Sequence, residues 1–186
     1  MHFVFGTLFE ADGAARMTGA DGRVVGRVVV VGLGNEYRRD DGVGAAVAEA
    51  VGDLALPNVA ALSGIADPMG LLEAWTGAGL AVIIDAAIAD PSTPGRISRW
   101  NLNEMPTPAV GLSSHSVDIG QTHALGHALG LTPGRVVVFT IEAADTGHGI
   151  GLSPHVATAV PEVVDMVVAE INRARPATRS QHPVSQ

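Results

Sequence analysis

The chain has 186 residues, which is enough for one domain of ordinary size built around a single core. Hydrophobic residues make up 47% and charged residues 16%, a globular composition whose somewhat apolar surface leaves room for a partner-binding face. A net charge of -8 argues against nucleic acid and anionic lipid as partners, because few cations are present to neutralise phosphates. The absence of cysteine excludes a disulfide framework, a thiolate nucleophile and a Cys-ligated zinc.

The two ends of the chain differ from its middle. Residues 1–26 show no sustained periodicity and no secretory signal, and we expect them to be a poorly ordered extension. Residues 175–186 are polar and are predicted to be a disordered tail. No apolar run is long enough to cross a bilayer. We therefore expect a cytoplasmic protein without membrane or nucleic-acid partners, whose single domain covers residues 27–174.

The first predicted elements surround a glycine-rich turn. Residues 28–31 are an aliphatic run bounded by glycine, which predicts a buried strand. Apolar residues then recur at helical spacing between Val43 and Val51, and Asp40 and Asp41 lie where the turn enters this helix. Asp40 is expected to be the N-cap, and capping is also the alternative role for Asp41. A strand at 59–62, a helix at 68–75 and a strand at 80–84 that ends at Asp85 follow.

The next elements continue this alternation. Residues 96–100 alternate in polarity behind a Pro-Ser-Thr-Pro-Gly turn, which predicts an edge or antiparallel strand. A helix is predicted from about Asp118 to Leu129, with Gly130 as its stop. Its apolar side is expected to contain Ile119, Ala124, Leu125 and Ala128.

The last two elements are a strand and a long helix. Residues 135–141 are nearly all apolar, as in a strand that is covered on both faces. The helix is predicted to begin with Ser153 as N-cap and Pro154 in its first turn, and to kink or start afresh at Pro161. The whole pattern predicts a three-layer α/β/α single domain, with a mostly parallel twisted sheet of about five strands and one edge or antiparallel strand.

The glycine-rich turn does not have the pattern of a nucleotide-binding loop. A dinucleotide fingerprint would need a third glycine where Tyr37 stands, and an acidic residue where the second strand is followed by Ser63. The Gly-Lys-Ser/Thr of a Walker A loop is absent, and Asp40 and Asp41 would repel a phosphate.

The same turn resembles the N-terminal motif of the hydrogenase maturation proteases, the endopeptidases that trim the C-terminus of the large subunit of [NiFe] hydrogenases. The motif is Gly32-Leu33-Gly34-Asn35 followed by Asp40-Asp41-Gly42-Val43-Gly44. The resemblance continues in the family's order and covers about Arg27 to Ala174. Its later blocks are Ser63-Gly64, Leu71–Trp75, Ile83–Ala86, Pro94-Gly95, Ser113-Ser114-His115 and Gly151–Pro154.

The resemblance implies a metal site made by Asp41 and His115. In the family the position of Asp41 is usually glutamate, which joins a second carboxylate and a histidine around a metal, and such ligands suit nickel. The second carboxylate corresponds to Ser63, a poor ligand, so the sequence departs from the family here. Asp67 is the alternative carboxylate, although Asp67 before Pro68 is equally typical of a helix N-cap.

Other polar residues fit weaker hypotheses. His123 and His127 have the spacing of a zincin helix, but Ala124 stands where the general base would be, so only a shared metal remains open for them. Asp85 can orient the crevice or accept hydrogen bonds from loop amides. The chain lacks the Gly-x-Ser-x-Gly elbow of many serine hydrolases.

The resemblance implies an endopeptidase that removes a C-terminal peptide from the nickel-loaded precursor of a [NiFe]-hydrogenase large subunit. The nickel is expected to arrive with the precursor, and no organic cofactor is expected. Hydrolysis can be metal-assisted, or aspartic-type with a carboxylate such as Asp41 as general base. The alternative is a non-catalytic nickel-sensing chaperone or binding protein for the large subunit.

Overall fold

The computed structural model describes residues 26–65, 67–105 and 118–175. A five-stranded sheet in the order β2-β1-β3-β5-β4 forms its central layer. The first three strands and β5 run parallel, and β4 pairs antiparallel with β5 at the edge, so the predicted fold class and the predicted edge strand are confirmed. The strands are β1 (Arg27–Leu33), β2 (Val59–Ile65), β3 (Ala78–Ala87), β4 (Ile97–Asn101) and β5 (Arg135–Glu142).

In the part of the chain that the structure describes, four α-helices cover the two faces of the sheet. They are α1 (Val43–Asp53), α2 (Pro68–Trp75), α3 (Ile119–Leu129) and α4 (Pro154–Ala174). Side chains of one strand alternate between the two faces, so Val28 and Val30 pack with α1 and α4, whereas Val29 and Val31 pack with α2 and α3. Each fully buried aliphatic side chain of this kind contributes about 1.5 to 3 kcal/mol. None of the helices in the described ranges is long and apolar enough to span a bilayer.

The glycine motif brings α1 against the ends of two strands. A Cβ on Gly44 would lie 2.2 Å from the Leu33 carbonyl oxygen and 2.6 Å from that of Ile84. A Cβ on Gly32 would lie 2.1 Å from the Gly44 carbonyl oxygen. These glycines therefore permit a close helix-to-strand contact, which sets the turn between them at the carboxyl edge of β1 and β3.

The third strand does not end at Asp85, so that prediction is wrong. β3 continues to Ala87, and Asp85 lies opposite Thr140 of β5. The buried Asp85 carboxylate accepts a hydrogen bond from the Ala86 N–H at 2.9 Å. A buried polar side chain with such a donor is compatible with a continuing strand.

The predicted apolar side of α3 is also wrong, except for Ile119. Ala124, Leu125 and Ala128 are exposed, and the buried residues are Ile119, Thr122 and Gly126. The reason is a close approach between helices, because a Cβ on Gly126 would lie 2.8 Å from a Leu72 methyl group of α2. The predicted stop is confirmed, since Gly130 adopts a left-handed conformation with φ 72°.

The last helix is continuous through Pro161, so the predicted new start does not occur. A proline has a helical φ and removes only one hydrogen bond of the helix. The apolar face of α4 is buried along its length, and this burial stabilises the helix through Pro161. Ser153 is the N-cap as predicted, although its side chain makes no capping hydrogen bond. The predicted N-terminal extension and C-terminal tail lie outside the described residues, apart from Gly26 and Arg175 at their borders.

Candidate functional site

The candidate site lies at the carboxyl edge of the sheet, where parallel strands of an open α/β fold collect ligands. Leu33 and Ile65 are paired residues at the ends of β1 and β2. Asn35 lies two residues after Leu33, and Asp67 lies two residues after Ile65. The chain segments that follow these neighbouring strands carry two of the three predicted site residues, Asp41 and Asp67.

Asp41 is held inward by the glycine-rich turn. It lies in a short 3-10 helix, Arg39–Gly42, which packs against β3, and its side chain is buried. One carboxylate oxygen, Oδ2, accepts the Asn35 N–H at 3.0 Å. The turn comes this close because residue 34 is glycine: φ is +110°, and a Cβ there would lie 1.9 Å from the Asp41 carbonyl oxygen. The family-like glycines thus position the Asp41 carboxylate rather than cradle a phosphate.

The structure contradicts the capping role that the sequence suggested for Asp40 and Asp41. The N-cap of α1 is Gly42, and no side chain caps this helix. Both aspartates lie within the 3-10 turn that precedes α1, and their carboxylates accept hydrogen bonds from backbone groups outside this helix. The alternative reading of Asp41 as a simple helix cap is therefore wrong.

Asp40 instead joins the turn to the loop between β5 and α4. Its Oδ2 accepts the N–H groups of Ala144 and Asp145 at 2.9 and 3.0 Å, and its Oδ1 accepts the Ser153 N–H at 2.6 Å. Burial opposes ionisation of this carboxyl, but the three backbone donors hold the pKa of Asp40 below its ordinary value. Sequence reasoning missed this role because the donors lie more than 100 residues away, with no local signal of their position.

A short parallel bridge reinforces the same connection. The Arg39 N–H donates to the Gly149 carbonyl at 3.0 Å, and the Gly149 N–H donates to the Tyr37 carbonyl at 2.9 Å. Beside this bridge, the large side chains of Tyr37 and Ile150 are exposed. The loop after β5 therefore forms a fixed wall beside the segment that carries Asp41.

Asp67 caps the second helix, as one of its two predicted roles required. Its Oδ1 accepts the N–H groups of Met69 and Gly70, each at 3.0 Å, and Pro68 occupies the first turn. The side chain is exposed at the carboxyl edge of the sheet. Both capping hydrogen bonds use Oδ1 of Asp67. A second role for this carboxylate, as a metal ligand, stays a prediction.

Ser63 lies within β2 rather than in the loop beyond it. Val31 pairs with Leu62, and Leu33 pairs with Ile65. Between these two pairs β1 advances by two residues and β2 by three, so β2 contains a bulge at Ser63 and Gly64. Gly64 has φ +75°, which glycine adopts without strain. Bulges of this kind are common beside active sites.

His115 lies outside the described residues, together with the rest of the Ser113-Ser114-His115 block. The described chain resumes at Asp118, which caps α3 by accepting the Gln121 N–H at 2.9 Å. Ile119, four residues beyond His115, is buried in the same core cluster as Leu33 and Leu71. Whether His115 meets Asp41 therefore stays a prediction.

The remaining candidates do not assemble into a second site. His123 packs edge-on against Trp75 with ring centroids 6.2 Å apart, and burial and the nearby His127 lower its pKa. His127 is exposed on the next turn of α3. Within residues 26–65, 67–105 and 118–175, no three His, Asp or Glu side chains are grouped closely enough to hold a metal ion.

Known proteins share this fold and its sequence pattern. The family model described as hydrogenase maturation protease matches residues 46–170. The [NiFe] hydrogenase maturation protease HybD from Thermococcus kodakarensis is 27% identical, with a TM-score of 0.66 over 79% of this chain and 99% of its own.

Two further structures support the fold alone. The hydrogenase maturating endopeptidase HybD from E. coli is 20% identical, with a TM-score of 0.68 over 78% of this chain and 92% of its own. The [NiFe] hydrogenase maturation protease HycI from Thermococcus kodakarensis KOD1 is 22% identical, with a TM-score of 0.62 over the same two fractions. No curated protein matches the chain.

Proposed function

The chain belongs to the hydrogenase maturation protease family, and from this premise we propose that it removes a C-terminal peptide from the nickel-loaded precursor of a [NiFe]-hydrogenase large subunit. The observation that carries the proposal is the buried Asp41 carboxylate, held by Asn35 inside the family's glycine motif at the carboxyl edge of the sheet. This edge also carries the exposed carboxylate of Asp67. A cytoplasmic location is part of the proposal, and the absence of cysteine supports it.

The nickel is treated as part of the substrate. Asp41, His115 and Asp67 are the residues that would contact it, and two carboxylates with one imidazole suit a borderline divalent ion. Asp41 contributes an oxygen from a position that the turn fixes, whereas Asp67 contributes one from the solvent-exposed start of α2. Contact with nickel in the precursor would make cleavage depend on completed metal insertion.

Hydrolysis adds water to the carbonyl carbon of one peptide bond, and the C–N bond then breaks as the leaving amine takes up a proton. Two routes fit the residues. A metal can polarise the carbonyl oxygen or activate the water, or the Asp41 carboxylate can take the proton from water as general base. Both routes place the reacting bond beside Asp41, so its carboxylate is the first residue to test.

The site is tested with two variants and two matched controls. Asp41→Asn and His115→Ala should each slow cleavage of the nickel-loaded precursor by roughly a hundredfold or more. Asp53→Asn and His127→Ala change the same residue types at exposed helix positions and should cut at the wild-type rate. The site assignment is wrong if both Asp41→Asn and His115→Ala cut normally.

The departure at Ser63 favours a rival peptidase that is metal-independent or differently directed. The candidate from another class is the nickel-sensing chaperone that binds the large subunit without cutting it. A chaperone would leave the covalent mass of its partner unchanged. Co-elution of an intact precursor with the wild-type protein, without any shortened product after prolonged incubation, would support this alternative.

A further inference from the structure

The two edges of the sheet differ in how they are protected. β2 pairs only with β1, and no strand in the described part of the chain pairs with its outer edge. β4 forms the other edge, and it has five residues including the charged Arg99. β2 has seven residues, with neither charge nor proline among them, and its side chains are intermediate or exposed. Natural proteins usually blunt a free edge with charge, proline, short length or a bulge. β2 has only a bulge, at Ser63 and Gly64, so residues 59–62 remain an uncharged edge that fits a partner strand.

The pairing of β2 with β1 shows which of its backbone groups face outward. The Val28 N–H donates to the Asn58 carbonyl at 3.0 Å, and alternate residues of a parallel strand bond to the same neighbour. The intervening residues Val59 and Ala61 therefore direct their N–H and carbonyl groups away from β1. The Val59 N–H donates to Leu56 at 3.3 Å within the preceding turn. Ala61 is thus the first residue of β2 that offers both backbone groups to an added strand.

The free edge leads directly to the candidate site. The carboxyl end of β2 is followed by Asp67, and Ile65 pairs with Leu33 beside the turn that holds Asp41. The bulge at Ser63 and Gly64 bends β2 at this end. Leu62 adds an apolar side chain that is 37% exposed. A peptide lying along β2 would therefore deliver its backbone to the same corner as both carboxylates.

We propose that the outer edge of β2 binds the C-terminal segment of the large-subunit precursor as an added antiparallel strand. This inference rests on the proposed function. The scissile bond must lie at the carboxyl end of β2, beside Asp41 and Asp67, with the folded body of the precursor outside it. The segment beyond that bond then runs back along β2 towards Val59, opposite to the direction of β2. Backbone hydrogen bonds supply the affinity in this mode of recognition, which suits an extended, uncharged peptide.

Hydrogen exchange tests the proposal without altering the edge. Asp41→Asn protein is mixed with the nickel-loaded precursor at concentrations where gel filtration shows the complex. The amide of Ala61 should exchange at least tenfold more slowly in the complex, whereas the amides of β4 at the opposite edge should not change. Unchanged exchange at Ala61 in a complex that has formed overturns the proposal.

A proline variant tests the same edge by kinetics. Ala61→Pro removes an outward N–H, and proline is tolerated at such positions of edge strands. The variant should raise KM for the precursor roughly five- to tenfold with little change in kcat, because one binding hydrogen bond is lost away from the reacting bond. Ala61→Ser keeps the N–H and should retain the wild-type KM. Wild-type kinetics for Ala61→Pro contradict the proposal.

Two further outcomes separate this inference from its premise. A wild-type protein that cuts the precursor while the edge tests fail leaves the proposed function standing and removes only the strand addition. A wild-type protein that neither binds nor cuts the precursor overturns both. The other candidate partner for the edge of β2 is a second copy of this chain, and light scattering tests for it. A dimer that Ala61→Pro dissociates would show that the edge binds a second copy.

Discussion

Asp40 and Asp41 are neighbours in the chain but have different tasks. Asp40 is saturated by three backbone donors from the loop that begins at Ala144 and from Ser153, and it fixes that loop. Asp41 is bonded to Asn35 within its own turn and lies at the candidate site. The sequence alone could not separate the two, because both were compatible with capping α1 and only distant partners distinguish them.

Residues with local partners were easier to predict. Asp67 before Pro68 has the pattern of an N-cap, and Gly130 has that of a helix stop, and both were found in these roles. The metal-binding role of Asp67 depends on nonlocal geometry and is not tested by this agreement. The two roles can be separated by substitution.

Asp67→Ser should preserve most of the stability of the protein, because serine is a good N-cap, whereas Asp67→Ala should lower the free energy of unfolding by about 1 kcal/mol. Both variants lose the carboxylate and should cleave the nickel-loaded precursor more slowly. Urea unfolding and single-turnover cleavage, measured on the same preparations, check the two effects. A serine variant that cuts like the wild type would limit Asp67 to capping.

At the scale of elements, pattern reading was most accurate where hydrophobic periodicity decides burial. The aliphatic runs of β1 and β5 and the apolar face of α4 were predicted correctly. It failed for α3, where the buried side is set by the contact between Gly126 and Leu72 of another helix. It also ended β3 too early at Asp85, since a polar residue in a sequence gives no sign that it will be buried and hydrogen bonded.

One element contact that the sequence did not indicate is an ion cluster around Glu170. This glutamate of α4 is fully buried and accepts hydrogen bonds from Arg99 of β4, Arg135 of β5 and Arg173 of its own helix. Burial opposes its ionisation, but the hydrogen bond from Arg99 and the charges of the three arginines lower the pKa of Glu170. The cluster therefore joins the antiparallel edge of the sheet to the last helix.

Glu170→Gln should lower the free energy of unfolding by about 3 kcal/mol at pH 7, because it leaves arginines without their counter-charge. The partial exposure of these arginines, up to 64% for Arg173, limits the loss. A depressed pKa in the folded state stabilises the protein above the ordinary pKa of 4.5, and this stabilisation is lost as the pH falls further.

The difference between wild type and Glu170→Gln should therefore shrink as the pH falls below about 4.5, because the glutamate of the unfolded chain takes up a proton there while that of the folded protein, whose pKa is lowered, is still ionised. Urea unfolding of both proteins at pH 7 and at successively lower pH measures this difference. An equal gap at all pH values would mean that the charge of Glu170 does not stabilise the fold.

At the scale of the whole molecule, the alternation of strands and helices was sufficient to predict the three layers and the parallel sheet. The order of the strands, the free edge of β2 and the wall formed by the loop after β5 depend on packing between distant segments and required coordinates. The segments that carry Asp41 and Asp67 follow the carboxyl ends of β1 and β2, and the assignment of these residues to a functional site stays a prediction.

The proposed activity is the shortening of the large-subunit precursor once nickel has been inserted. Mass spectrometry of nickel-loaded and nickel-free large-subunit precursor, before and after incubation with the wild-type protein, tests it most directly. We expect the loaded precursor to lose the mass of a single C-terminal peptide, with that peptide found free in solution, and the nickel-free precursor to remain intact. A loaded precursor whose mass does not change would show that the protein is not its processing endopeptidase.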